Sequence, residues 1–233
     1  MNYFDSEVIA YLNQFARRSW AFDQVTAFLS VNHLMKGGVL MVLVWWAWFR
    51  NRNPTDREHL LATLFSCVIA LGIGRAMVLG LPFRQRPLAE ERLEFVLPYG
   101  LSGRIFEGLS SFPSDHAVLF FGLATGLFFI SKRVGLLAFV YVAMCISLPR
   151  IYLGLHYPTD ILAGAVVGVA ICLVANRYLP QRKSVQWVKA LSQSSPQIFY
   201  PMMFLVTYQI ADLFDNSRLM VSGIFALLRR LVQ

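Results

Sequence analysis

Arg150-Ile151-Tyr152-Leu153-Gly154-Leu155-His156-Tyr157-Pro158-Thr159-Asp160 is a polar corner between two apolar runs, Gly135 to Pro149 and Ile161 to Ala175. Apolar runs of that kind read as membrane helices, so the corner reads as the turn of a helical hairpin at the bilayer surface. Pro158 suits the first turn of the second helix, and Asp160 then lies near its positive end. One role for Asp160 is therefore that of a helix-dipole acid. The other is chemical: with His156 just before the turn and Asp160 four residues later, the carboxylate is expected to accept Nδ1–H and leave Nε2 as a nucleophile.

Outward from the corner, Gly37 to Phe49, Leu60 to Phe83 and Ala117 to Ser131 are further apolar runs. A sixth, Ile198 to Phe214, carries Gln209 and Asp212 and is expected to span; Leu219 to Val232, ending in Arg229 and Arg230, reads as an amphipathic tail helix. Met1 to Asn32 mixes Asp5, Glu7, Arg17, Arg18 and Asp23 with apolar residues, which suits one amphipathic helix at the interface and no cleavable signal peptide. The expected fold class is all-α: a polytopic transmembrane helix bundle of five spans plus a sixth, with an N-terminal interfacial amphipathic helix. It forms a single domain, with residues 1–33 as the interfacial helix, 34–179 as the catalytic bundle and 180–233 as C-terminal helices.

Composition agrees. Of 233 residues, 57% are hydrophobic and 15% charged, with a mean hydropathy of +0.54, far more apolar than soluble domains, where about a quarter of residues are charged. The formal charge of +8 sits in short clusters between apolar runs rather than along one face, which points to anionic lipid and away from nucleic acid. Cys67, Cys145 and Cys172 lie in apolar stretches and read as small buried hydrophobes, with no disulfide or metal spacing.

A run of about 15 apolar residues covers roughly 22 Å, against about 30 Å of hydrocarbon. To span, the third run must extend back through His116, Asp115 and Ser114, and the fourth forward through Arg150. Folding the chain back and forth brings the ends near Arg86, His116, Arg150 and Asp160 to one face. Arg50, Arg52, Arg57, Lys132, Arg133, Arg177, Arg182, Lys183 and Lys189 collect on the other, and Arg84, Arg86, Arg92 and Arg104 on the first. The first of these basic sets is the larger, which makes its face cytoplasmic and the polar cluster extracytoplasmic in an inner membrane.

Two further motifs meet that corner. Arg75, inside the second run, either faces a polar cavity or snorkels, and it is followed by Leu81-Pro82-Phe83-Arg84-Gln85-Arg86-Pro87. Ser111-Phe112-Pro113-Ser114-Asp115-His116 opens the third helix. Ser114 suits an N-cap whose hydroxyl and neighbouring N–H groups satisfy the helix end or hold an anion, and His116 can supply a proton near neutral pH.

The order Arg-Pro, Pro-Ser-x-His, then Arg with five residues to His and three to Asp resembles the three-motif site of the type 2 phosphatidic acid phosphatase superfamily, over roughly Arg75 to Tyr178. The spelling Ser-Phe-Pro-Ser-Asp-His is most similar to the branch that hydrolyses undecaprenyl diphosphate. The resemblance implies a membrane lipid phosphatase in which His156 attacks phosphorus, Asp160 orients it, and His116 protonates the departing oxygen and then helps activate water. It also implies that Arg86, Arg150, Ser114 and the backbone at Asp115 hold phosphoryl oxygens without a metal or other cofactor. Where the family usually has Lys, Leu79 stands, and Arg75 one turn earlier is expected to take its place, with Arg84 as the other candidate. Asp115 replaces the usual Gly and needs an arginine partner or solvent; Pro149 replaces the usual Ser before Arg150.

Other features carry structural expectations. Gly122, Gly126, Gly164 and Gly168 are spaced for close helix packing, Trp45, Trp46 and Trp48 suit an interfacial belt near Arg50, and His33 and His59 suit surface or capping roles. The competing functions are release of phosphate from phosphatidic acid, phosphatidylglycerophosphate or lipid A, phosphate transfer to another lipid, and, from a different class, translocation of a lipid or solute. Translocation needs ionisable groups through the membrane depth, whereas here only Arg75 is clearly interior.

Overall fold

The computed structural model describes residues 2–50, 53, 55–101 and 110–232, with side chains described as far as residue 224. Arg52 and Arg104 lie outside the described residues, as do the side chains of Arg229 and Arg230. Among the described residues the chain is all-helical: α1 (Tyr3–Asn13), α2 (Trp20–Val31), α3 (Val39–Arg50), α4 (Asp56–Gly80), α5 (Asp115–Ile130), α6 (Lys132–Tyr141), α7 (Leu148–Tyr152), α8 (Pro158–Tyr178), α9 (Lys183–Ser194), α10 (Pro196–Ala211) and α11 (Asp215–Val232).

Among the described residues, three helices are long and apolar enough to cross a membrane: α4, the continuous Lys132–Tyr152 formed by α6, a π-helical segment and α7, and α8. Counting α2 and α3 as one span bent by 71° makes four. The expected third run forms α5, which is only 16 residues long, and the expected sixth forms α10, also 16 residues with Pro201 inside it. Length and composition alone thus support three spans, or four, where the apolar runs suggest five and a sixth.

The α5 helix is short because protein surrounds it. Residues on every side of it, including Val118, Leu119, Phe120, Leu123 and Leu127, are buried, against α4, α6, α8 and α3. An all-round apolar helix is a bundle centre. Its neighbours turn apolar side chains outward: Phe65 and Ile69 on α4, Leu136 and Val140 on α6, and Val166 and Val174 on α8 are exposed. So much exposed apolar surface needs lipid against it.

Packing of α5 on α8 is backbone to backbone. A Cβ on Gly168 would collide with the carbonyl oxygen of Val118, and one on Gly122 would stand 3.1 Å from that of Gly168. Gly164 likewise meets the Ser114 carbonyl, with 2.7 Å left for a Cβ. The glycine spacing is a packing seam, and it draws the N-terminal ends of α5 and α8 together.

Two π-helical segments redirect the chain. Leu34–Gly38 forms the bend between α2 and α3, where Gly37 admits the backbone of Ala211. Val142–Ser147 precedes Pro149, which cannot donate to the helix ladder, and a π turn absorbs the missing bond without ending the helix. The helix therefore reaches Arg150, as the span-length argument requires, while α5 starts at Asp115 and still ends 16 residues long.

Two expectations are corrected. Residues 1–33 do not form one interfacial helix: α1 and α2 are separate, and their Asp5 and Asp23 are fully buried. Trp48 belongs to the core, unexposed and stacked on Phe199, because α10 covers it; Trp46 is the exposed member, beneath Arg50. His33 and His59 keep structural roles: the His33 side chain, 53% exposed, lies 3.0 Å from Asp212, and His59 lies 3.1 Å from Asn176. Cys67 and Cys172 are buried free thiols, and Cys145 is half-buried.

The seam yields a stability test. Gly168→Ala forces backbone apart and is expected to destabilise by about 1–3 kcal/mol, as overpacking does. At Gly72 an added methyl group would meet nothing within 4 Å, so Gly72→Ala should gain up to about 1 kcal/mol. Thermal unfolding of both variants in detergent checks the contrast; equal midpoints would mean that α5 and α8 do not pack through Gly168.

Candidate active site

The corner between α7 and α8 builds the site. After Tyr152 the chain turns through Gly154 at φ +68, where a side chain would meet the Phe95 ring at 2.7 Å. The Arg150 carbonyl accepts the N–H of Leu155 at 2.9 Å, and the Gly154 carbonyl accepts that of Leu88 at 3.0 Å, which ties the corner to the segment after Arg86. His156 is held buried, 5% exposed.

Its partner is not the one expected. His156 Nδ1 lies 2.8 Å from the carbonyl oxygen of Ser111 and 3.9 Å from Asp160 Oδ2. A carbonyl can only accept, so Nδ1 carries the proton and Nε2 keeps its lone pair. Asp160 acts one bond further away: its Oδ2 accepts the Ser111 hydroxyl and the Tyr157 N–H, the latter at 2.8 Å. Its Oδ1 accepts Arg84 Nη1 at 2.5 Å, and the Asp160 carbonyl accepts the Ser114 N–H at 3.3 Å. The carboxylate thus holds the segment that holds the imidazole.

Burial, and after it the charges of Arg86 and Arg150, push the His156 imidazole well below its ordinary value. It is therefore neutral, the state in which Nε2 is nucleophilic. Burial also pulls the Arg86 guanidinium below its usual value, against the opposing pull of Asp115 and Asp160. Arg86 Nη1 donates to the Leu155 carbonyl at 2.8 Å, beside His156.

The remaining expected residues gather at the same end. Arg150 is 6% exposed and places Nη2 2.5 Å from His116 Nε2 and 3.4 Å from the Ser30 carbonyl. Arg75 and Asp115 form an ion pair at 2.6 Å, which satisfies the carboxylate beside the helix end. Ser114 occupies the N-cap position, but its hydroxyl makes no cap bond. Ser114 Oγ and Arg150 Nε are buried polar atoms without a protein partner, the signature of groups aimed at something polar.

Four participants lie beyond what the motifs assign. Ser111 opens its motif with no role attached to it, and its carbonyl is the orienting group. Arg84, the alternative to Arg75, is committed to Asp160 and to Asp5 at 2.6 Å, over the Tyr157 ring at 4.2 Å. Asp5 and Lys36 are remote in sequence. Lys36 is 4% exposed at the α2–α3 bend and interacts electrostatically with Arg150, Asp212 and His116. A charged residue beside an apolar run is the signal that singles it out.

A helical membrane bundle whose open end presents two imidazoles among guanidinium groups defines a class, that of membrane phosphatases. Residues 84–184 match the model of the PAP2 superfamily. Over those residues the chain is similar to that superfamily, and its relatives include lipid phosphate hydrolases. It is 25% identical over 201 residues to the bacitracin transport permease protein BcrC of Bacillus licheniformis, covering 84% of this chain and 90% of that one. It is 22% identical over 178 residues to undecaprenyl-diphosphatase BcrC of Bacillus subtilis (strain 168), covering 76% and 84%. Over 86 residues it is 42% identical to the lipid A 4'-phosphatase of Bacteroides thetaiotaomicron, covering 36% and 38%.

The neutral His156 has a pH consequence. Below the ordinary histidine value of 6.5 the unfolded chain binds a proton at this residue and the folded chain does not, so stability falls as pH drops. The His156 contribution is fully present above 6.5 and is lost below it. Thermal midpoints between about pH 7.5 and 5.5 should therefore fall less in His156→Gln than in the unsubstituted protein; equal slopes would mean that His156 is charged.

Proposed function

We propose that the chain removes phosphate from a diphosphate lipid, undecaprenyl diphosphate first among the candidates, through a phosphohistidine on His156 and without a metal. The observation that carries the reading is the neutral, Nδ1-protonated imidazole of His156 set beside Arg86 and Arg150, with Arg150 on His116. Phosphoryl transfer asks for little more than an aligned nucleophile and fixed positive charge around the equatorial oxygens.

His156 Nε2 attacks phosphorus as the bond to the departing lipid oxygen breaks. Arg86, Arg150 and Arg75 balance the oxygens, with Ser114 Oγ and the Asp115 backbone N–H at the open end of α5. Arg150 donates to His116 Nε2 in the resting site; once a phosphoryl oxygen takes that N–H, Nε2 takes a proton from solvent and passes it to the leaving oxygen. Water, deprotonated by His116, then attacks the phosphohistidine and releases phosphate. Asp160 keeps Ser111, and so His156, in place.

The full assignment of spans belongs to the same reading: α5, sheathed by its neighbours, and α10 complete five spans and a sixth, in an inner membrane with the site on the extracytoplasmic side. Basic residues at the far end, with Lys189 on Glu58 at 2.7 Å and Arg57 over Trp48, support that orientation. The diphosphate reading is supported by the undecaprenyl-diphosphatase of Bacillus subtilis over most of both chains. A lipid A monoester is the second reading, since the lipid A 4'-phosphatase is more similar over its shorter segment.

Phosphate release by the purified protein from undecaprenyl diphosphate, undecaprenyl phosphate, phosphatidic acid, phosphatidylglycerophosphate and lipid A, with chelator present, tests class and substrate together. Turnover is expected with chelator, with inhibition by vanadate and near-complete loss in His156→Ala and His116→Ala. Arg86→Ala and Arg150→Ala should each lose about 3 kcal/mol of transition-state binding. Wild-type turnover in His156→Ala removes the nucleophile assignment, and restoration only by magnesium removes the metal-free mechanism.

A further inference from the structure

Asp5 stands in the first turn of α1 with no solvent exposure. Its Oδ1 accepts the backbone N–H of Thr159 at 3.0 Å, and its Oδ2 accepts the Thr159 hydroxyl at 2.6 Å and Arg84 Nη2 at 2.6 Å. Thr159 is the second residue of α8, so Asp5 satisfies an open N–H of the helix that carries Asp160, and it faces that helix's positive end. The other arm of Arg84, Nη1, reaches Asp160 Oδ1 at 2.5 Å and Thr159 Oγ1 at 2.9 Å. One guanidinium therefore bridges two buried carboxylates from distant parts of the sequence.

The bridge leads to the nucleophile. Arg84 is also tied through its backbone, since its carbonyl accepts the Ser111 N–H at 2.8 Å. Ser111 donates its hydroxyl to Asp160 and accepts His156 Nδ1–H on its carbonyl. We infer that Asp5 is a positioning residue for the hydrolysis: by anchoring Arg84 and the start of α8 it fixes Asp160 and Ser111, and through them the ring of His156.

Two features separate this from ordinary packing of α1. A helix that only covered the bundle would bury apolar residues here, because burying a carboxylate is unfavourable unless it is fully paired. Asp5 is fully paired, and each partner is itself bonded to, or adjacent to, Asp160. Without its charge, Arg84 has one carboxylate instead of two and is free to turn its fork toward Asp160 alone. The geometry of Ser111 then shifts, and misplacing a reacting group by about 1 Å can lower a rate about 100-fold. Asp5 has no exposed surface to offer a substrate, so binding should change little.

The inference rests on the reading of His156 as the attacking group, and the test separates the two. The full chain is purified in detergent as wild type, His156→Ala, Asp5→Asn, Arg84→Gln and the Asp5→Asn/Arg84→Gln double variant. Phosphate release from undecaprenyl diphosphate and from phosphatidic acid is measured, and kcat is expressed per folded molecule from tryptophan-fluorescence unfolding curves. Asp5→Asn is expected to lower kcat about tenfold with KM changed less than about twofold, a loss confined to the reacting state. In the Arg84→Gln background the same change should lower kcat less than about twofold, since residues acting through one another are not additive. Should Asp5→Asn fail to fold, Thr159→Val removes the hydroxyl shared by Asp5 and Arg84, and the same kcat loss is expected.

Unchanged kcat in folded Asp5→Asn, a loss that falls on KM, or fully multiplicative effects in the double variant each overturn the inference. If wild type and His156→Ala turn over equally, the reading of His156 fails instead.

Discussion

Asp160 buries a carboxyl group with no exposure to water, and the architecture of the active end follows from the need to satisfy its oxygens. An isolated buried carboxylate is strongly unfavourable, and stripping a partner from a buried pair typically costs about 3–5 kcal/mol. Its oxygens accept from Arg84, Ser111 and the Tyr157 N–H. Each donor comes from a different connection: the segment after α4, the one before α5, and the corner before α8. Satisfying one carboxylate therefore fixes the relative placement of three loops, which no apolar contact could orient so closely.

The seam below works toward the same end. Gly164 and Gly168 let α8 lie directly on the backbone of α5 at Ser114 and Val118, so the two helix N-termini open side by side. Open N–H groups and positive dipole ends at that level favour an anion. Two imidazoles from separate helical connections are brought to one end of the bundle by small residues that carry no chemistry. The protein surrounding α5 also explains how a helix of 16 residues stands at the centre of a bundle in a bilayer: its polar first turn lies among protein groups and not among lipid tails.

What the sequence disclosed and what it withheld divide along a physical line. Apolar runs, the polar corner at Arg150–Asp160, the glycine spacing and the grouping of Arg75, Arg86, Ser114, Asp115, His116, Arg150, His156 and Asp160 at one end all follow from local pattern, because periodicity and chain reversal place residues without knowledge of partners. Asp115 needed an arginine and found Arg75. Partner identity was less legible. From spacing alone, Asp160 reaches His156; in the fold, the Ser111 carbonyl intervenes, which no residue type advertises, because every residue has a carbonyl. Asp5 and Lys36 were hidden by sequence distance, and the reading of residues 1–33 as a surface helix hid Asp5 further. An acidic residue in a mixed helix looks the same in sequence whether it meets water or a buried guanidinium. Length and composition support three spans, or four, and leave the others to be argued from packing, since apolarity marks burial and does not distinguish burial in lipid from burial in protein.

A site for phosphoryl transfer must reconcile two demands that oppose each other electrostatically. The oxygens need fixed positive charge, yet the nucleophile must stay neutral, and positive charge with burial is what keeps it so: desolvation together with Arg86 and Arg150 disfavours protonation of His156. In the proposed mechanism the guanidiniums that would hold the substrate thereby also prepare the nitrogen that attacks. The proton that remains on the ring is held on Nδ1 by a neutral carbonyl, not by a carboxylate. A carboxylate in direct contact would stabilise the imidazolium and draw Nε2 toward protonation, so a charge set one residue away can orient the ring without charging it. Interposing Ser111 between Asp160 and His156 therefore serves the chemistry as well as the packing.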